Sequence, residues 1–98
     1  MEFTGLRALR TLNLSRNGKL VTLGPESLAG VNLTILDLSN GNLNHLQYSA
    51  FQNSSITEID LSNNKIQILD RRVFSSMRTA DTKMLGSFTF NIEFINFS

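Results

Sequence analysis

Residues 56–74, ITEIDLSNNKIQILDRRVF, decide how this chain folds. When Ile56 is numbered as position one, apolar residues fall at positions one, four, six, eleven and fourteen, with asparagine at nine and phenylalanine at nineteen. Positions four to six alternate as in a short strand, whose successive side chains point to opposite faces. The longer gaps match neither a period of two nor one of about 3.6 residues, so the stretch is neither a simple strand nor an amphipathic helix.

The same spacing recurs upstream. The segment LTILDLSNG begins at Leu33, 23 residues before Ile56, and LRTLNLSRN begins at Leu9, another 24 residues earlier. The earliest unit has one extra residue between Asn17 and Leu20. A period near 24 residues with the pattern LxxLxLxxNxL is typical of a solenoid of stacked coils.

These units resemble leucine-rich repeats, in the class of about 24 residues, over residues 1–76. Their spelling, LDLSxNxLxxLxxxxF, is similar to that of extracellular members such as Toll-like and chaoptin-like proteins. The resemblance implies an α/β-type solenoid: a right-handed coil with a short parallel β-sheet on the concave face and irregular or short helical arcs on the convex face. The fold is a display scaffold with many partners, so it does not specify one function.

The units also define the domain organisation. We expect a partial repeat at residues 1–8, units that start near residues 9, 33 and 56, and a degenerate last repeat or a non-repeat tail at residues 77–98. Phe3 matches the end of a preceding unit, and no cap precedes it, although solenoid ends normally need a capping unit. We therefore expect a piece of a longer protein or a truncated product.

The tail leaves two alternatives open. It is either a degenerate strand that adds to the edge of the sheet or a segment foreign to the repeats. Sliding the pattern by five residues places Leu85, Phe88 and Phe90 at positions one, four and six, and the segment SFTFNIEFINFS alternates apolar and polar residues up to Phe94. Either way, an unpaired strand of this composition is prone to aggregate.

Each unit should begin with a short strand, and the strands should stack into one parallel sheet. The expected strands are residues 11–14, 35–38 and 58–61. Side chains at positions four and six should point into the core, while one large apolar residue near the end of each unit should stack into a spine on the convex side. The expected spine residues are Phe3, Leu28, Phe51 and Phe74.

Asn17 and Asn64 stand at position nine, directly after their strands. A side-chain amide offers two donors and one acceptor, so it can satisfy several backbone groups of a sharp turn. We expect these asparagines to form a ladder across successive units. Gly41 holds the same position in the middle unit and has no side chain. We expect a weakened rung there, restored in part by Asn40 or Asn42.

The outward strand positions form the candidate binding face. The expected partner-binding residues are Arg10, Thr11, Asn13, Arg16, Ile35, Asp37, Asn40, Glu58, Asp60 and Asn63. This face is polar with one exposed isoleucine, as suits reversible protein recognition. Asp37 and Asp60 share position five on neighbouring strands. We expect them to be solvated side chains, with an acidic patch for a basic partner as the alternative, and not a catalytic pair.

The sequence contains no pattern for catalysis or for binding a metal or cofactor. It has no nucleophile elbow, no His-Glu-x-x-His and no phosphate loop, and the absence of cysteine excludes disulfides and Cys-based metal sites. The one histidine, His45, and the one adjacent basic pair, Arg71-Arg72, are expected at the solvated surface. We therefore expect neither an enzyme nor a cofactor. The net charge of +1 argues against a nucleic-acid partner.

Four sequons bear on the compartment. They begin at Asn13, Asn32, Asn53 and Asn96. Asn53 and then Asn32 are the possible N-glycosylation sites, since a glycan on Asn13 would lie on the proposed binding face.

The expected function is that of a protein-binding module, part of a leucine-rich repeat ectodomain of a receptor, adhesion or matrix protein at the cell surface or outside the cell. No apolar run reaches the length of a membrane span, so we expect membrane attachment only through another part of the full-length protein. One alternative is a cytoplasmic leucine-rich repeat scaffold or regulator. Another is a truncated product without independent function. The expected ligand is a protein, and the oligomeric state stays open.

Overall fold

The computed structural model describes residues 10–79 and 81–90, with only the backbone of Phe90. In chain order the elements are β1 (Thr11–Asn13), β2 (Thr22–Leu23), β3 (Asn32–Asp37), β4 (His45–Leu46), β5 (Ser55–Asp60), β6 (Ile68–Leu69), α1 (Arg72–Ser76), β7 (Lys83–Leu85) and β8 (Thr89–Phe90). We call residues 10–31 the first coil, 32–54 the second, 55–79 the third and 81–90 the start of the fourth. Each coil contributes one strand to a parallel sheet of order β1-β3-β5-β7.

The register of this sheet aligns position four of every coil. Leu12 lies opposite Leu36, Leu36 opposite Ile59, and Ile59 opposite Met84. Leu36 and Ile59 have 0% exposure, because each is covered by its neighbours in the coils on both sides. The predicted solenoid of stacked coils, with a parallel sheet and few helices, is confirmed.

β3 and β5, the sheet strands of the second and third coils, begin three residues before the expected positions, at Asn32 and Ser55. Their extra residues pair with each other, Asn32 with Ser55 and Leu33 with Ile56. Between the first and second coils, the amides of two consecutive residues, Thr34 and Ile35, both donate to the carbonyl of Arg10, at 2.7 and 2.9 Å.

Two consecutive amides on one carbonyl mark a β-bulge in β3. This bulge explains the spacing that opens each unit. Leu33 and Leu36 are three residues apart and both buried, which a regular strand does not allow because its side chains alternate. A bulged residue between them shifts the alternation by one, so both side chains reach the core.

The convex side is built differently in each coil. β2 pairs with β4 and β6 pairs with β8. We call these four short strands the minor strands, and they form two separate two-stranded sheets. The first and second coils return through turns, whereas the third forms α1. Phe51 is fully buried there, and Leu28 and Phe74 pack against the core partly buried, as expected for the spine. Phe3 lies outside the described residues.

β7, the sheet strand of the fourth coil, lies in a different register from the one that the five-residue shift predicts. Met84, not Phe88, stands at position four, and Gly86 falls at position six. A Cβ atom at Gly86 would lie 2.5 Å from Cε2 of Phe88, so the phenylalanine ring covers the glycine and packs against the core in its place. The shift is wrong because methionine and this displaced ring supply the apolar volume. Residues 91–98 of the alternating segment lie outside the described residues.

Candidate binding surfaces

Two rows of side chains cross the concave face of the sheet. The row at position three contains Thr11, Ile35, Glu58 and Lys83. The row at position five contains Asn13, Asp37, Asp60 and Leu85. Six of the ten predicted partner-binding residues stand in these rows, and exposed Arg10 directly precedes β1. Ile35 is half-buried rather than exposed, because it lies between strands on both sides.

The sign of the charge changes twice across this face, from the first coil to the fourth. Arg10 and Arg16 lie at the first coil, Asp37, Glu58 and Asp60 at the second and third, and Lys83 on the fourth strand. Basic residues therefore flank an acidic centre. A surface of this kind suits a protein partner with matching charges, since complementary potentials set the register of an encounter.

The carboxylates at position five are structural as well as surface groups. Asp37 Oδ1 accepts hydrogen bonds from the amide of Ser39 at 2.9 Å and from its hydroxyl at 2.6 Å. Asp60 makes the same pair of bonds with Ser62. Both carboxylates are half-exposed and keep contact with solvent, and each also closes the turn that ends its strand.

The first coil forms the same turn with a neutral residue. Asn13 Oδ1 accepts from the amide of Ser15 at 2.9 Å and from its hydroxyl at 2.6 Å. The bonds from Ser39, assisted by the nearby charge of Arg16, hold the pKa of the Asp37 carboxyl below its ordinary value. Asp37 is thus ionised on the concave face at neutral pH.

Three predicted partner-binding residues lie in turns beyond the strands. Arg16, Asn40 and Asn63 all have left-handed backbone, with φ of 59°, 55° and 58°. Asparagine tolerates this conformation better than most residues. Asn63 Nδ2 also donates to Asn40 Oδ1 at 2.9 Å, so the two side chains join neighbouring coils at the carboxyl end of the sheet.

The two ladder asparagines differ in the structure. Asn64 Nδ2 donates to the carbonyl of Leu38 at 2.7 Å and also contacts the carbonyls of Leu61 and Ser62. Its Oδ1 accepts from the amide of Leu43 at 2.9 Å. Asn17 is exposed, and its side chain makes no hydrogen bond to the residues that the structure describes.

Asn64 also serves the coil that has glycine at this position. Leu38 and Leu43, which it bonds, flank Gly41 in the second coil. Neither Asn40 nor Asn42 makes those bonds, so the expected rescue by a flanking asparagine is wrong. The side-chain amide that makes these bonds belongs to Asn64 of the third coil. It fits there because Gly41 has no side chain to fill the space.

The sequons of the described region occupy different environments. Asn32 is exposed at the start of β3, and Asn53 is exposed in a turn with a φ of 59°. The side-chain oxygen of Asn13 is engaged with Ser15. Asn96 lies outside the described residues.

A second surface lies on the outer flank, at the minor strands, where sequence reasoning expected none. The exposed large apolar side chains of the described residues, Val21, Tyr48 and Ile68, are all in this region. A pocket of about 260 Å³ opens there, which we call the flank pocket. It is lined by Asn44, His45, Leu46, Gln47, Tyr48, Ile68, Asp70 and Arg72. Ile68 stands where the earlier coils have Thr22 and His45. This isoleucine at an otherwise polar position is the one feature of the sequence that could have indicated the flank pocket.

Arg72 organises the rim of the flank pocket. Its guanidinium lies 4.2 Å from the centroid of the Tyr48 ring and forms an ion pair with Asp70, with Nη2 2.7 Å from Oδ2. This pairing lowers the pKa of the Asp70 carboxyl and raises that of Arg72. Arg72 is exposed at the surface, and α1 in addition brings its side chain back over the second coil.

The described residues offer little for metal chemistry or for crossing a membrane. Within residues 10–79 and 81–90, no group of three or more His, Asp or Glu side chains is placed to hold a metal ion. His45 is exposed, and its Nε2 lies 3.4 Å from Gln47 Nε2. No helix in this part of the chain has the length and apolar character that a membrane crossing requires.

A comparison with known protein families gives a match over most of the chain. The family model described as leucine rich repeat matches residues 2–39 and again residues 31–79. No curated protein and no solved structure matches the chain.

Proposed function

The chain belongs to the leucine-rich repeat family, whose domains are protein-interaction modules, and from this premise we propose that it binds a protein partner through the concave face of its sheet. The observation that carries the proposal is the register that aligns Thr11, Ile35, Glu58 and Lys83 across four strands. A continuous row of this kind offers apolar and charged contacts at fixed spacing, as protein interfaces require.

Binding, rather than catalysis, is the function that this face supports. The carboxylates of Asp37 and Asp60 are each engaged by the serine that follows them in the turn. A group held in this way is a fixed surface charge on the concave face. The proposed ligand is therefore a protein surface and not a substrate.

We further propose that the module belongs to the ectodomain of a receptor, adhesion or matrix protein, and that it resembles Toll-like and chaoptin-like repeats in this respect. Two exposed sequons, at Asn32 and Asn53, support this placement, because both lie away from the two concave rows and leave them open for a partner. The second candidate is a cytoplasmic scaffold, which the absence of cysteine favours.

A pair of glutamate substitutions tests the binding face. Glu58 lies in the concave row, whereas Glu26 is exposed in a turn of the first coil. Surface plasmon resonance against a panel of secreted and cytoplasmic protein domains first identifies the binder. Glu58→Lys should then weaken binding at least tenfold, and Glu26→Lys, with the same change of charge, should leave it unchanged. Equal effects of the two substitutions would remove the concave face as the site.

Glycosylation tests the compartment. When the full-length protein is expressed in secreting cells, enzymatic deglycosylation should increase its gel mobility. Ser55→Ala removes the sequon of Asn53 while it leaves that asparagine in its left-handed turn, so this variant should lose part of the shift. A full-length protein that stays in the cytoplasm without glycans would favour the scaffold instead.

A further inference from the structure

The flank pocket lies where the hydrogen bonding between two coils is interrupted. Among the residues that the structure describes, β4 pairs only with β2 and β6 pairs only with β8, although β4 and β6 occupy equivalent positions in neighbouring coils. The interruption is bounded on both sides. At one end the amide of Lys65 donates to the carbonyl of Leu43 at 2.8 Å, and at the other the hydroxyl of Ser76 donates to the carbonyl of Tyr48 at 2.9 Å.

Backbone polar groups point into this gap. His45 and Gln47 donate their amides to the first coil, so the peptide groups of Leu46 between them face the third coil. On the opposite side the carbonyl of Gln67 accepts from Thr89 of the fourth coil, so the groups of Ile68 face the second coil. The backbone N–H and C=O groups of Leu46 and Ile68 can therefore form hydrogen bonds with one ligand group placed between the two coils.

The side chains around the gap are mostly polar and carry no net formal charge, and the exposed apolar surface comes from Ile68 and the ring of Tyr48. Ile68 is 64% exposed, and Tyr48, which lines the same pocket, has the guanidinium of Arg72 on the face of its ring. Arg72 and Asp70 neutralise each other at 2.7 Å. An acidic ligand would compete with Asp70 for Arg72, and a basic ligand would compete with Arg72 for Asp70. A neutral ligand meets neither competitor.

We propose that the flank pocket binds one neutral, aromatic side chain with a hydrogen-bonding tip, such as tyrosine, presented by a protein partner. The ring would cover Ile68, and the hydroxyl would bond the backbone groups in the gap. This site is separate from the concave face and goes beyond the function proposed for that face.

The shape of the pocket favours a side chain over an inserted strand. An added strand needs an edge that continues past both ends of the pocket, and here both ends are closed by bonds between coils. The volume of about 260 Å³ is also smaller than that of most pockets for drug-sized ligands. Tyrosine and arginine are common anchors of protein interfaces because they combine large contact area with a polar group.

Nuclear magnetic resonance titration of the whole chain tests the proposal, with p-cresol as the probe for a tyrosine side chain. We expect saturable amide shifts at Leu46 and Ile68 with at least fivefold tighter binding than for toluene, acetate or butylamine. Toluene lacks the polar tip, and the two ions carry the charges that the rim should disfavour.

A matched pair of variants identifies the site. Ile68→Lys should abolish the p-cresol shifts, whereas Thr22→Lys, at the equivalent exposed position of the first coil, should preserve them. The proposal is overturned if p-cresol gives no saturable shift, if an ion binds as tightly, or if both variants respond alike. Sedimentation that shows self-association lost only in Ile68→Lys would assign the pocket to a second copy of the chain and would also overturn it.

Discussion

The side chain of Asn64 occupies the space that a side chain at Gly41 would need. A Cβ atom at Gly41 would lie 3.0 Å from Asn64 Oδ1 and 3.5 Å from the carbonyl oxygen of Asn17. Asn64 is held in place by bonds to Leu38 and Leu43, so it has little freedom to withdraw. The glycine of one coil and the asparagine of the next therefore form a single structural unit.

Gly41→Ala should destabilise the fold by about 1–3 kcal/mol, because the added methyl group displaces an anchored side chain. A glycine-to-alanine change without such a contact usually stabilises by about 0.4–1 kcal/mol through the unfolded state. Gly18→Ala is the matched control, since a Cβ there meets nothing within 4 Å. Urea denaturation measures both, and equal stabilities of the two variants would contradict the relationship between Gly41 and Asn64.

Asn64→Ala should lower the free energy of unfolding by about 2–3 kcal/mol, because it leaves the carbonyl of Leu38 and the amide of Leu43 without their partner. Asn17→Ala should change it by less than about 0.5 kcal/mol, as for an exposed side chain. Thermal melting followed by circular dichroism compares the two. If Asn17 proved as important as Asn64, the two positions would contribute equally to a ladder, as the sequence predicts.

Leu36→Asp should abolish cooperative unfolding. Leu36 has no exposed surface, and a carboxylate there would be buried among apolar side chains at a cost of about 4 kcal/mol or more. Thr11→Asp places the same group on the exposed side of β1 and should cost about 1 kcal/mol or less. A cooperative melting curve for Leu36→Asp would contradict the core assignment.

The Asp37 turn predicts a pH dependence. Because hydrogen bonds from Ser39 lower the folded-state pKa of Asp37, its contribution to stability is present above the unfolded-state pKa of about 3.9 and is lost as the pH falls through the lower folded value. Asp37→Asn keeps an oxygen that can accept both bonds, as Asn13 does in the first coil.

The loss of stability between about pH 7 and about pH 3 should therefore be smaller in Asp37→Asn than in the wild type. Asp70, whose pKa is also lowered, is present in both proteins and contributes equally. Urea denaturation at the two pH values measures the difference. An identical loss in both proteins would show that the Asp37 carboxylate does not contribute.

Some features of the candidate surfaces were within reach of the sequence. The turns that close on Asn13, Asp37 and Asp60 are local, because each side chain bonds a serine two residues later. The recurrence of Asn or Asp, Leu and Ser at the same place in three units is enough to predict them. The exposed Ile68 also stands out where the other units have polar residues.

Other features depend on how close one coil lies to the next. The sequence by itself determined the buried face, because an apolar residue at the same position of every unit can only be covered by its copies above and below, as Leu36 and Ile59 are. The tertiary structure decided that Asn64 serves the coil of Gly41 and that Arg72 reaches Tyr48. These contacts are set by the distance between coils, and no single unit of the sequence encodes that distance.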